Sequence, residues 1–227
     1  MTYRMSITRW RNTALPLAAL LTACSGPSGP VRTETRAVEA FHAIELRGAA
    51  EAEVTVGKGP SLTITADDAS VKELSAQVHD GVLVIETHHR SSWLERRATV
   101  KLQIETAALD SLVLNGAGDF KLRDVTGDKL TLVMAGAGNL SAAGKIGTLK
   151  ASIDGAGSLQ LKELAATDAD VSVNGAGSLS VCASGNLNAT VNGVGSIDYS
   201  CNPQKAVTSV HGVGSISPAG GKAPKTP

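Results

Sequence analysis

Three kinds of residue in this chain have the chemistry for a functional site: closely spaced glycines, histidines and cysteines. The string NGAGSLSV, residues 174–181, has the look of a loop that cradles a phosphate. A dinucleotide fingerprint needs G-x-G-x-x-G opening a helix after a strand. Here GAGDFK, GAGNLS, GAGSLQ and GAGSLS all lack the last of those glycines. The string also recurs, as NGAGDFKL from Asn115, AGAGNLSA from Ala135, DGAGSLQL from Asp154, NGVGSIDY from Asn192 and HGVGSISP from His211. A ligand loop normally occurs once, so the repetition points to architecture. The calcium-binding G-G-x-G-x-D repeat also builds a β-helix, with a period of about nine residues and an Asp in each copy. This chain has about twice that period and only Asp119 near the acidic position.

The histidines number five. His42 falls on a strand position, His88 and His89 begin HHRSSWLERR, and His211 takes the place of an Asn in the repeat. No H-x-H or H-E-x-x-H spacing occurs, and no Cys pair or carboxylate cluster completes a zinc site. No metal and no cofactor is therefore assigned. Serines beside the glycines belong to the repeated element, which argues for structure rather than nucleophilic catalysis. The repeat-linked carboxylates Asp119, Asp154, Asp170 and Asp198 do not pair at equivalent positions of successive copies, as two-carboxylate glycoside hydrolysis requires. The reading is non-enzymatic, with a polysaccharide-acting β-helix enzyme as the remote alternative.

The elements that must position these residues follow from the spacing. The glycine pairs Gly116/Gly118, Gly136/Gly138, Gly155/Gly157, Gly175/Gly177, Gly193/Gly195 and Gly212/Gly214 start at intervals of 20, 19, 20, 18 and 19 residues. A fixed period near this length means a stacked solenoid. Before each pair, residues such as Leu130, Leu132 and Met134, or Ala169, Val171 and Val173, alternate with polar ones, which is the period of a strand. After it, Phe120, Leu140, Leu159, Leu179, Ile197 and Ile216 share one position, and Leu122, Leu161, Val181 and Tyr199 repeat it two residues on. Two short strands joined by glycines make one coil of a β-helix. The glycines are expected to turn the chain with positive φ. The residue before them is Asn, Ala, Asp, Asn, Asn and His in turn; Asn, Asp and His tolerate left-handed backbone and could stack as a hydrogen-bonded ladder.

The N-terminal part carries a degraded copy, FHAIELRGAAEAEVTV from Phe41 to Val56, followed by SLTITA from Ser61, VHDGVLVIE and ATVKLQIE from Ala98. Asp80-Gly81 between alternating apolar residues predicts a hairpin. The expected fold is all-β: a parallel β-helix of about 19-residue coils, preceded by an irregular β half containing that hairpin.

Composition sets bounds. Of 227 residues, 42% are hydrophobic but only 3% aromatic, which suits a narrow interior of Val, Ile, Leu and Ala. With 21 basic and 21 acidic residues the formal net charge is zero, so there is no electrostatic footprint for nucleic acid. Arg4, Arg9 and Arg11 precede the apolar run from Ala14 to Ala23, too short to span a membrane and suited to a signal peptide over residues 1–23. Leu21-Thr22-Ala23-Cys24 resembles the lipobox of bacterial lipoproteins, which implies a lipid on Cys24; Ser25 after it implies sorting to the outer membrane. Residues 24–36 are expected to be a tether, 37–218 the domain and 219–227 a disordered tail. The remaining cysteines, Cys182 and Cys201, lie seven and eight residues past Gly175 and Gly193, near one spot on consecutive coils, where a disulfide can form. The alternative is two buried thiols one residue out of phase.

The envelope signal, FHAIELRGAAEAEVTVG, LSAQVHDGVLVIE and the serial NGAG strings together resemble the bacterial family described as putative auto-transporter adhesin, head GIN domain. The similarity covers roughly Val38 to Ser217. It implies a right-handed β-helix and an envelope location, and it brings no catalytic or ligand residues.

Two surfaces are candidates for contact. HHRSSWLERR contains Trp93, Arg96 and Arg97, residue types favoured in recognition, with a plain polar excursion as the alternative. The row Ser152, Ser172, Thr190 and Ser209 stands two residues before the residue that precedes each glycine pair, as an outward hydroxyl ladder. It suits a polysaccharide, with a merely soluble sheet face as the alternative. The expected function is an adhesive or binding envelope lipoprotein, held to the membrane by its lipid and contacting a glycan or an envelope protein. The rival is a structural protein that self-associates as a homo-oligomer by strand addition.

Overall fold

Alternating apolar residues need a partner strand on each edge and a covered face, and here the next copy of the repeat supplies both. The computed structural model describes residues 30–87 and 99–219. Its strands form one 15-stranded sheet, a β-solenoid of about five turns with about 20-residue spacing.

The N-terminal half contains β1 (Val31–Arg36), β2 (Ala43–Ala49), β3 (Glu51–Val56), β4 (Ser61–Asp67), the short helix α1 (Asp68–Glu73), β5 (Leu74–His79), β6 (Val82–Thr87) and β7 (Lys101–Thr106). β2 and β3 are the degraded copy, lying parallel to the regular coils. His42 falls just before β2 rather than on a strand, at a bend. Antiparallel strands close this end on both faces: β1 pairs β4 and β4 pairs β7 on one, β5 pairs β6 on the other. The β5–β6 hairpin turns at Asp80 and Gly81, with φ of 51° and 76°, as an Asp-Gly type I′ turn requires. Two elements differ from the sequence reading. Val31–Arg36, assigned there to the tether, is strand β1; its side chains are exposed up to the half-buried Arg36, so no apolar alternation announces it. α1 is too short to show a helical period; the Asp67 side chain caps it by accepting from the Ser70 N–H. Arg36 donates to the carbonyls of Leu74 and Val71 at its other end.

The C-terminal half contains β8 (Ser111–Met134), β9 (Ala137–Ile153), β10 (Ala156–Val173), β11 (Ala176–Ala183), β12 (Asn186–Val191), β13 (Val194–Ser200), β14 (Lys205–Val210) and β15 (Val213–Pro218). Segments before the glycine pairs stack as a leading face, ending in β12 and β14; segments after them stack as a trailing face, ending in β11, β13 and β15. Inside, like sits on like with alternating bulk: Leu132, Ala151, Val171 and Ala189 form one row, Met134, Ile153, Val173 and Val191 another. All are 3% exposed or less. Burying such a Val or Leu is worth about 1.5–3 kcal/mol, so the interior row carries the stack.

The glycines are required for a different reason from the one their sequence suggests. Of the pairs, only Gly118 and Gly138 have positive φ, 147° and 146°. The first glycines, Gly116, Gly136, Gly155, Gly175, Gly193 and Gly212, do not take the expected left-handed turn. Nor do the second glycines Gly157, Gly177, Gly195 and Gly214, which lie inside the strands β10, β11, β13 and β15 and pair there in register. Asn115, Asp154, Asn174, Asn192 and His211 are not left-handed either; the non-glycine positive φ values occur at Asp80, Asp124, Cys201 and Asn202.

What demands glycine is proximity. A Cβ on Gly175 would lie well inside van der Waals contact with the carbonyl oxygen of Gly155, and Gly155, Gly193 and Gly212 meet the glycine one coil below in the same way. The second glycines repeat this two residues on: Gly157 rests on the Gly138 carbonyl, Gly177 on Gly157, Gly195 on Gly177 and Gly214 on Gly195. At this corner backbone rests on backbone, so both rows exclude any side chain.

Candidate functional site

Strand alternation sends every second residue of the leading face outward, and over the regular coils those residues are almost all polar. The register stacks Ser152 on Ser172, Ser172 on Thr190 and Thr190 on Ser209. All four are half-buried. Ser152 donates to Asp154 at 3.1 Å, and Ser209 shares a 2.8 Å hydrogen bond with His211 Nε2. Ser172 and Thr190, side by side in the middle, have no side-chain hydrogen bond among the described residues.

A second row runs along the glycine corner. Asn174 donates to Asp154 at 2.7 Å, and Asn192 donates to Asn174 at 2.8 Å. The expected ladder is thus present over these coils; Ala135 interrupts it at one end, and His211 turns to Ser209 at the other. On the far side of the hydroxyl row, Lys150, Asp170 and Asn188 are stacked, with Asn188 donating to Asp170 at 3.0 Å. Beyond it, the backbone N–H and then the side-chain amide of Asn186 donate to Asp168 and hold its carboxyl below the usual range. Spacings of about 4.8 Å between coils and about 7 Å between rows give a flat lattice of hydroxyls, amides and carboxylates. Towards the N-terminus the hydroxyl row becomes Val133, stacked on Ser152, and Val113, stacked on Glu45.

Cys182 and Cys201 are joined by a disulfide, with Cα atoms 5.1 Å apart. In the ladder Cys182 stands opposite Ser200, so Cys201 is one residue out of phase; left-handed φ values of 72° at Cys201 and 51° at Asn202 accompany the offset. The next coil is uncovered. Ala206, Thr208 and Val210 occupy the core phase of β14 yet are exposed, whereas their partners Leu187, Ala189 and Val191 are 1% exposed or less. Val207 and Val213 are also exposed, at 51% and 75%.

A third feature was missed by sequence reasoning. Beside the trailing face, a notch of about 330 Å³ lies over Ser141, Ala142 and Ala143, with Lys121 and Arg123 on one wall and Gln160, Lys162 and Glu163 on the other. Its signal was the uneven interval between glycines, which alone does not say where in the coil a residue is added.

Cys24, Trp93, Arg96 and Arg97 lie outside the described residues, so the lipid site and the HHRSSWLERR surface are not placed. Among the described residues no three His, Cys, Asp or Glu side chains gather to hold a metal, and no helix is long and apolar enough to cross a membrane.

The family model for the putative auto-transporter adhesin, head GIN domain, matches residues 40–203. A crystal structure of a putative adhesin from Bacteroides fragilis is similar at TM-score 0.70 and 22% identity, covering 85% of this chain and 99% of that one. A putative lipid binding protein from Parabacteroides distasonis is similar at TM-score 0.52 and 21% identity, covering 86% and 98%. At these identities the likeness is one of fold. No curated protein matches the chain.

Proposed function

Because the chain belongs to the putative auto-transporter adhesin, head GIN domain family, we propose that it is a non-enzymatic binding module of the cell envelope whose leading face holds a polysaccharide. The observation that carries this is the pair Ser172 and Thr190: stacked, half-buried hydroxyls with no side-chain partner among the described residues, set between hydrogen-bonded rows that hold their neighbours still. Such a face can give and accept hydrogen bonds at each coil without rearranging, which lowers the ordering cost of binding.

The test is a glycan array probed with the purified full chain. Saturable binding to a neutral polysaccharide, lost in a Ser172→Ala/Thr190→Val variant of unchanged melting temperature, is the expected result. A folded protein that binds no glycan, or a variant that binds as before, overturns the reading; reducing-sugar release from a bound polymer overturns the non-enzymatic part.

The anchoring proposal rests on the Leu-Thr-Ala-Cys motif: Cys24 carries lipid, and Ser25 after it sends the protein to the outer membrane. Metabolic labelling with a fatty-acid analogue should mark the chain and fail to mark Cys24→Ser. A second reading, self-association, is favoured by one observation, the uncovered strands β14 and β15 with Val207, Val210 and Val213 exposed. Unpaired strand edges recruit strands. Crosslinked oligomers that disappear in Val210→Lys would support it, and a strictly monomeric protein would end it.

A further inference from the structure

A coil shorter than both of its neighbours leaves a gap in the wall of a solenoid, and the coil that contains β9 is one such coil. Between paired positions Leu122/Ala142 and Val125/Gly144, β8 holds Arg123 and Asp124 where β9 holds only Ala143. Between Gln160/Ser141 and Glu163/Ala143, β10 holds Leu161 and Lys162 where β9 holds only Ala142. Both longer coils add their residue at the same corner, so their side chains stand as walls about two coil spacings apart, roughly 9–10 Å. The floor between them offers the Ala143 methyl and the Ser141 hydroxyl, Ala142 being turned into the core.

Each wall carries a lysine, Lys121 on one and Lys162 on the other, and Glu163 stands beside Lys162. Arg123 is ion-paired to Glu53, but Lys121 and Lys162 have no hydrogen-bond or ion-pair partner among the described residues. Glu163, together with Gln160 and Ser141, adds neutral or acceptor groups at the rim. We infer that this notch binds an acidic sugar residue, one bearing a carboxylate or a sulfate, with its ring over Ala143 and its anion between Lys121 and Lys162. The Ala143 methyl suits the apolar face of a sugar ring. Gln160, Ser141 and Glu163 suit its hydroxyls, and the two ammonium groups can both reach one anion. A lipid surface is disfavoured because the rim carries no exposed large apolar side chain; those on the described chain are Val31, Val194, Val207, Val210 and Val213, none of them in the notch. The inference does not depend on the hydroxyl face.

Calorimetric titration of the purified full chain tests it, with oligogalacturonate, a sulfated oligosaccharide, dextran, inorganic phosphate and anionic phospholipid vesicles as probes. One or both acidic oligosaccharides should bind, and dextran should not compete for the site. Lys121→Ser/Lys162→Ser should weaken binding about tenfold or more, since each lost charged hydrogen bond is worth at least that factor; Lys121→Arg/Lys162→Arg should keep most of it. Ala143→Leu, which fills the floor and leaves the charges, should weaken it as well. Melting curves check folding of every variant. The inference falls if no acidic oligosaccharide binds, or if the Lys-to-Ser variant binds as the wild type does. It also falls if Ala143→Leu is indifferent, which would mean unshaped charge attraction. Phosphate or vesicles binding as tightly as the oligosaccharide, through the same lysines, would reassign the site to a free anion or a headgroup.

Discussion

The two halves of the molecule satisfy their polar surfaces by different means. In the N-terminal half, opposite charges do the work: Arg47 bridges Glu45 and Glu86, Lys58 meets Glu105, Lys72 meets Asp68, and Lys101 meets Glu51. In the coils beyond Arg123, neutral and half-neutral ladders replace them, Asn on Asp, Asn on Asn and Ser on Ser. The irregular half places side chains of different kinds opposite one another, so it can pair plus with minus. A regular stack places like on like, where a charged row would repel itself. Amides and hydroxyls can donate and accept at once, so they alone tolerate being repeated coil after coil.

The contrast can be broken hardest at the glycines. Gly175→Val forces a side chain into the Gly155 carbonyl and should remove more than about 4 kcal/mol, enough to abolish a cooperative melt by circular dichroism. In the other half, Gly59 has nothing within 4 Å of a would-be Cβ, and Gly59→Ala should leave the melt unchanged or slightly raised. Next in size is the disulfide. Its loop of 19 residues corresponds to about 3 kcal/mol, and a melt with and without reductant should show the loss, matched by Cys201→Ser. Asn174→Ala interrupts the ladder from both sides and should cost about 1–2 kcal/mol, a loss that added salt does not change. Arg47→Ala should cost less than that, and the difference from wild type should shrink as salt rises, because its partners are exposed ions.

The smallest effect is on the acid side. The Lys58 ammonium lowers the Glu105 carboxyl below its usual range, the Lys72 ammonium does the same to Asp68, and the Asn186 N–H to Asp168. Because the folded values lie below the unfolded ones, this stability is present above the ordinary carboxylate range, near pH 4, and is lost as pH falls through the folded values. Acid melts should therefore decline only below about pH 4. Salt should shrink the part due to Lys58 and Lys72 and leave the Asp168 part, a hydrogen bond to backbone, in place.

Much of the fold was legible because repetition multiplies a weak signal. A single Leu-x-Leu-x-Met says little, but the same phase recurring before each glycine pair fixes strands, faces and core rows. The role of the glycines was not legible: a left-handed turn and a backbone contact both demand glycine, and only the neighbouring coil tells them apart. β1 was hidden because Val31 to Arg36 offer no buried face, and α1 because Asp68 to Glu73 are fewer than two turns. Of the candidate site, the hydroxyl row could be read from phase alone, since parallel coils in register place equal phases together. That Ser172 and Thr190 lack side-chain partners among the described residues, while Ser152 and Ser209 have them, depends on Asp154 and His211 two residues along, which a row of like residues does not reveal. The notch depends on where Arg123-Asp124 and Leu161-Lys162 enter their coils, and no spacing between glycines locates that.

The bridge between Cys182 and Cys201 also sets how the molecule yields to a pull. A stack of coils held only by its neighbours unzips from an uncovered end one turn at a time, and β14 and β15 form such an end. Tension applied there would peel the strands past Cys201 and then stop, because the next turn is tied covalently to the one beneath it. Under load the protein should therefore extend in a short first step, hold at the crosslink, and give way further only at a higher force or after reduction.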